Sequence, residues 1–176
     1  SEPILDVHSP DLHQMLKSLD VAIVFSALPS GPAQKIEFLL SRNGLVVFSN
    51  ASAYRMHPEV PLVVADVNPE ALEHWPGDLG RLACATNCTL IPVLHPLHII
   101  ASHHRIIRVK VRSEQALSGA GWTLLFDDEK RKAAIDNEIE GEAEKLIEEA
   151  ERILQLNAEW DVVCKRVDAE EGHIVN

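Results

Sequence analysis

Cys88 has the most chemistry within reach of any residue in this sequence. It stands in the run Thr86, Asn87, Cys88, Thr89, between the end of an expected strand and the start of an expected helix. Backbone N–H groups at a helix start stabilise a thiolate. Such a thiolate attacks carbonyl carbon, and the same N–H groups can hold the oxyanion that forms. By type alone a cysteine is also a small apolar core residue, and position does not choose between the two. Cys84, Cys88, His95, His98, His103 and His104 lie close in sequence. Structural zinc usually takes tight Cys and His pairs flanking a short fold; here a Pro-broken apolar run joins them, and no metal is expected. Arg55, Arg152 and Arg166 come from three separate segments. Gathered at one cleft they would draw in a doubly charged anion; dispersed, each pairs with a surface carboxylate. Glu149 and Arg152 stand three apart on a charged helix, where such a pair is usually surface decoration. Arg166 and His173 end a strand and, taken by themselves, read as solvated side chains. Residues 118–121 read as a turn.

The elements that must position these residues follow from periodicity. Ser9 and Pro10 open a helix over 9–19. Residues 21–28 form a short apolar run of the kind buried on both faces of a parallel sheet. A helix over 32–41 stops at Asn43-Gly44, and strands follow over 44–50 and 61–67. Strand, helix, strand at this spacing is a βαβ unit of a doubly wound sheet. A strand near 82–86 runs into Cys88. Residues 90–103 are expected as a helix, with Pro92 in its first turn and Pro96 inside it. Residues 106–115 alternate apolar and polar, the pattern of an antiparallel strand with one wet face. One long acidic helix is expected over 127–156, its stripe running through Ile135, Ile139, Ala143, Leu146, Ala150 and Ile153, with Gly141 as a possible interruption. A last strand covers 159–167. The fold class is α/β: a partial Rossmann-like parallel sheet over 1–81, and an α+β catalytic and dimerisation part over 82–176 with an antiparallel or mixed sheet.

The chain has 176 residues, enough for one domain or two small ones. Its formal charge of −11 comes from 27 acidic and 16 basic residues. Such a surface repels phosphate backbones and anionic membranes, and aromatics at 5% leave little for base stacking. Neither nucleic acid nor a membrane is expected as a partner. Three cysteines are too few and too odd for a disulfide framework and suit a reducing cytoplasm. No secretory signal is expected in the first ten residues.

Around these residues runs an ordered set of motifs. Asn87-Cys88-Thr89 resembles the Asn-Cys-Ser/Thr nucleophile motif of aspartate-semialdehyde dehydrogenases. Ser26, Ala27, Leu28, Pro29, Ser30 and Gly31 are similar to that family's cofactor-edge loop. Ser49 to Met56 looks like its SNAS-x-x-R-M segment, and Gln115 to Gly121 like its Gln-Ala-x-Ser-Gly-Ala-Gly loop. Cys164, Arg166 and Val167, then Gly172 and His173, match its C-x-R-V…G-H segment. The order is kept over nearly the whole chain.

The resemblance implies NADPH-dependent reduction of aspartyl phosphate to the semialdehyde with release of phosphate, in amino-acid biosynthesis. Cys88, with Asn87 beside it, would form the thioacyl intermediate, and His173 would be the general acid and base. Gln115 would orient the acyl group, and Arg166 would clamp the substrate carboxylate. Arg55 would meet the phosphate. Glu149 and Arg152 would stand for a Glu-x-x-Lys pair that binds the substrate amine and phosphate, with Arg in place of Lys. Ser26, Leu28, Pro29, Ser30, Ser118 and Gly119 would contact NADP. The family's opening Gly-x-x-Gly-x-x-Gly turn and its last strands fall outside this sequence. Two other readings stay open: a catalytically silent family member that dimerises or regulates, and a related acyl-phosphate or acyl-coenzyme A reductase. A homodimer through the second half is expected, since the edge strands and the helical stripe need cover.

Overall fold

The computed structural model describes residues 4–73, 75 and 79–176. The chain forms two compact units, residues 1–86 and 87–176.

The first unit is built on a parallel sheet. After a short helix α1 (Leu12–Ser18) come β1 (Ile23–Ser26), α2 (Ser30–Arg42) and β2 (Val46–Ser49). Then follow β3 (Leu62–Val63) and β4 (Arg81–Ala85). The strand order is β1-β2-β4-β3, and every pairing is parallel. This is the Rossmann-like α/β arrangement read from the sequence. α2 ends at Asn43-Gly44 in a Schellman closure: Leu45 N–H donates to Leu40 O at 3.2 Å and Gly44 N–H to Ser41 O at 3.1 Å. Leu45, Val47 and Leu82 are almost wholly buried, each contributing about 1.5–3 kcal/mol of apolar burial.

Two expectations need adjustment here. β1 is not buried on both faces: Ile23 is 52% and Phe25 82% exposed, because β1 ends the sheet and α2 covers one face. The strand at Arg81–Ala85 belongs to the parallel sheet, lying between β2 and β3, so the first unit runs to Thr86 rather than stopping at residue 81. Its run of Leu82, Ala83 and Cys84, all buried, is what a central parallel strand requires.

The second unit holds α3 (Ile91–Ala101) and β5 (Arg108–Gln115). Beyond a 3₁₀ turn over Leu117–Ala120 come α4 (Trp122–Phe126) and α5 (Asp128–Ala134). The unit ends with α6 (Glu142–Leu154), β6 (Glu159–Arg166) and β7 (His173–Val175). The sheet order is β6-β5-β7, with β5 parallel to β6 and antiparallel to β7. β5 keeps the expected wet face: Val109, Val111, Ser113 and Gln115 are buried, whereas Arg108, Lys110 and Glu114 are exposed. Its pairing with β6 is parallel because the chain between them crosses over through helices. On the wet face Arg108 pairs with Glu159 at 2.7 Å and Lys110 with Asp161 at 3.2 Å, exposed contacts that contribute little.

The expected single helix over 127–156 is two helices. Asp136 and Gly141 adopt left-handed backbone, with φ of 62° and 69°. Between them the chain runs along β6: Asp136 N–H donates to Arg166 O at 2.8 Å, Ile139 N–H to Cys164 O at 2.8 Å, and Arg166 N–H to Asn137 O at 3.0 Å. Sheet hydrogen bonds thus replace helical ones over this stretch. α6 keeps the stripe, burying Leu146, Ala150 and Ile153 together with Glu149. Pro96 lies inside α3.

Candidate active site

Strand register assembles the site in the second unit. Gln115 is the last residue of β5. It pairs with Arg166 on β6 and with His173 on β7. Directly paired residues share one face of a sheet, so these three side chains form a single rung. Gln115 and Arg166 are buried and His173 is exposed.

The 3₁₀ turn that follows β5 folds back over this rung. Its backbone is held by Leu117 N–H to Ala169 O at 2.8 Å and Ser118 N–H to Glu170 O at 3.0 Å. Arg166 Nη1 donates to Ala116 O at 2.6 Å. Gly119 lies over the three side-chain tips. A Cβ there would meet Arg166 Nη1 at 3.0 Å, His173 Nε2 at 3.1 Å and Gln115 Oε1 at 3.7 Å. The position has room for hydrogen alone unless one of these side chains moves. Ser118 is exposed beside it.

The cysteine segment meets this rung through α6. Cys88 is exposed and is the first residue of a turn over 88–90, ahead of α3. The Asn87 side chain shapes that turn: its Oδ1 accepts from Thr89 N–H at 2.8 Å, and its backbone carbonyl accepts from Leu90 N–H at 3.1 Å. Two carboxylates on one face of α6 hold Asn87 itself. Glu149 Oε2 accepts from Asn87 N–H at 2.7 Å, and Glu142 Oε1 accepts from Asn87 Nδ2 at 2.8 Å. The same Glu142 oxygen accepts from Gln115 Nε2 at 3.3 Å. Glu142 therefore joins the residue beside the thiol to the rung.

Arg166 carries the electrostatic record of this convergence. Burial pushes its guanidinium down from the ordinary value, opposed first by Glu142 and then by Cys88. The buried thiol of Cys164 is pushed up by burial, partly offset by a hydrogen bond with Ser113. Cys84 and Cys164 are buried, so Cys88 is the accessible cysteine of the three.

Glu142 is not among the site residues expected from the sequence: it and Glu149 stand seven apart on the stripe of α6, and both phases look alike in one dimension. A signal was present: Glu142 and Lys145 have the Glu-x-x-Lys spacing without substitution. Glu149 serves as a buried anchor for the Asn87 amide. Arg152 is half-buried in the last turn of α6, with its Cα about 15 Å along the axis from that of Glu142.

The remaining expected site residues lie in the first unit. Ser26 ends β1, Pro29 is the N-cap of α2 and Ser30 opens it; Leu28 is half-buried. Ser30 Oγ and Ser52 Oγ share a hydrogen bond of 2.7 Å. Arg55 is buried, and its Nη2 donates to Asn50 O at 2.9 Å. Among the described residues no group of three His, Cys, Asp or Glu is placed to hold a metal ion, and no helix is long and apolar enough to cross a membrane.

Residues 5–75 match the family profile described as semialdehyde dehydrogenase, NAD binding domain. The chain is 37% identical over 175 residues to the aspartate-semialdehyde dehydrogenase of Aspergillus fumigatus, covering 88% of this chain and 48% of that protein. It is 36% identical to the enzyme of the same name from Archaeoglobus fulgidus, covering 89% and 50%. Among solved structures, aspartate semialdehyde dehydrogenase II of Vibrio cholerae complexed with ASA matches with a TM-score of 0.71 and 28% identity, covering 88% of this chain and 50% of that one. The Candida albicans enzyme with NADP matches with a TM-score of 0.70 and 26% identity, covering 89% and 49%. The chain spans about half the length of the curated relatives it matches.

Proposed function

The chain belongs to the aspartate-semialdehyde dehydrogenase family, and from that premise we propose that it carries the acyl-transfer chemistry of such an enzyme, the NADPH-dependent reductive dephosphorylation of aspartyl phosphate to aspartate semialdehyde. The observation that carries the reading is Glu142, which ties Asn87, next to the thiol, to the rung of Gln115, Arg166 and His173.

In this reading the Cys88 sulfur attacks the acyl carbon. A C–S bond forms, the C–O bond to the phosphoryl group breaks, and phosphate leaves. His173 takes the thiol proton before attack and returns one to a leaving oxygen, work suited to an imidazole. Gln115, with its amide tethered to Glu142, orients the acyl group. The Arg166 guanidinium clamps the substrate's own carboxylate in a bidentate pair. Glu142 takes the substrate ammonium in place of Glu149, and Lys145 completes its Glu-x-x-Lys pair. Arg55 is read as a phosphate ligand from the family resemblance.

A nicotinamide cofactor fits the residues at hand. Open parallel sheets take ligands at the carboxyl ends of their strands. There the Ser26 hydroxyl is buried with no hydrogen-bond partner among the described residues. Ser26, Leu28, Pro29 and Ser30 would hold the cofactor in the first unit; Ser118 and Gly119 are cofactor contacts by the family resemblance alone. NADP rather than NAD is part of the proposal. When bound, the cofactor supplies the hydride that reduces the thioester.

Acylation needs no cofactor and tests the proposal directly. The chain is mixed with aspartyl phosphate, quenched in acid and mapped by peptide mass. One aspartyl group on the Cys88 peptide, with one equivalent of phosphate released and neither seen in Cys88→Ser, is the expected result. No adduct on Cys88 would leave the silent, regulatory reading in its place.

A further inference from the structure

The first unit contains a buried carboxylate that the proposed chemistry does not use. Glu37 lies mid-way along α2 and is 0% exposed. Burying a carboxylate is costly unless it is well partnered, and an apolar residue of similar size often serves a core better. Glu37 Oε1 accepts one hydrogen bond, from Ser49 Oγ at 2.8 Å, and its Oε2 has no partner among the described residues. The buried position therefore calls for a purpose other than stability.

That purpose is visible in what Ser49 does next. Ser49 is the last residue of β2 and is itself buried. With its proton committed to Glu37, its Oγ accepts from Ala51 N–H at 3.0 Å. The carboxylate thus orients the hydroxyl so that a lone pair faces the turn. Residues 50–55 are held at further points: Asn50 N–H donates to Ser26 O at 2.9 Å, Ser52 is bonded to Ser30, and Tyr54 Oη donates to Gln34 O. Burial, then the charge of Glu37, pushes the Tyr54 phenol upward. Arg55 closes the loop on Asn50 O at 2.9 Å.

We propose that Glu37 is a positioning residue: through Ser49 it sets the backbone of residues 50–55, and thereby the placement of the Arg55 guanidinium. Only the last step rests on the reading of Arg55 as a phosphate ligand. The chain of contacts runs from a helix core position to the ligand edge of the sheet, through hydrogen bonds of 2.8, 3.0 and 2.9 Å at Ser49, Ala51 and Arg55.

Amide hydrogen exchange of the whole chain reads the first step, and stabilisation by inorganic phosphate reads the second. In Glu37→Leu and Glu37→Met the 50–55 amides should exchange roughly 3–10-fold faster, the effect of one lost hydrogen bond, while amides of β4 keep their rates. Either variant suffices if the other does not fold. Glu37→Gln keeps an acceptor for Ser49 and should restore parental exchange. Unchanged exchange in the apolar variants overturns the proposal, as does faster exchange that Gln does not rescue, since that is a packing effect. Phosphate should raise the parent's melting temperature, with the rise lost in Arg55→Ala and reduced in Glu37→Leu. A full phosphate response in Arg55→Ala removes the anion role of Arg55, and the hold of Glu37 on the loop then stands on the exchange result alone.

Discussion

Glu142 and Glu149 are the same residue type on the same helix face, and their surroundings divide their work. Glu149 is 2% exposed and takes a backbone N–H of Asn87; losing that acceptor leaves a buried amide without its partner. Glu142 is half-buried and takes two side-chain amides, from Asn87 and Gln115. Side-chain amides can turn aside when a cationic group arrives. Glu149→Leu should therefore destabilise the chain by about 1–3 kcal/mol in urea unfolding, the cost of a buried amide left without its acceptor. Glu142→Gln should leave stability nearly unchanged and slow acylation of Cys88 by aspartyl phosphate roughly 10-fold or more, as expected for a charged contact. Acylation by acetyl phosphate, which has no ammonium, should be unaffected. Equal slowing with both donors would show that Glu142 acts on the thiol rather than on the substrate.

At the scale of elements, the break between α5 and α6 places Glu142 at the start of a helix. A continuous helix would have swept residues 135–141 past β6 without pairing. Instead Asp136 and Ile139 bond to β6, and Gly141 turns the chain into α6 with φ of 69°. A Cβ at Gly141 would meet nothing within 4 Å, so its cost is conformational alone. Gly141→Ala should lower the urea midpoint by an amount equal to about 1–2 kcal/mol, the penalty of a left-handed non-glycine residue, with an unchanged denaturant slope. No loss of stability would mean that the turn relaxes to another backbone geometry. The apolar stripe was legible because its period of three and four residues survives within Glu142–Leu154. The break was less so, since Ile135 and Ile139 stay in phase with the stripe although they leave the helix.

For the whole molecule, a net charge of −11 coexists with exposed apolar side chains. Phe25 is 82%, Phe126 80% and Trp122 73% exposed. β1 and β6 each end a sheet, and a sheet edge offers unpaired backbone groups to another chain. A homodimer through the second half remains the expectation. Sedimentation at micromolar concentration should give a mass near twice the 19.5 kDa of one chain; a monomer alone would count against it. High salt should tighten the association if charge repulsion between two acidic chains opposes it.

Residue identity and local period determined a good deal of this protein before any contact was known. The strands β1 and β2 with the helices α1 and α2, the stop at Asn43-Gly44, the wet face of β5 and the motif order around Cys88 are properties of neighbours in the chain. Steric preference and i, i+3, i+4 or i, i+2 spacing express them directly. Tertiary structure decided the rest. That Gln115, Arg166 and His173 share a rung depends on the register of three strands, and the different hydrogen bonds of Glu142 and Glu149 depend on where Asn87 and Gln115 lie against α6. Register and packing are set by contacts between distant segments, whose free energies have no counterpart in any local window of sequence.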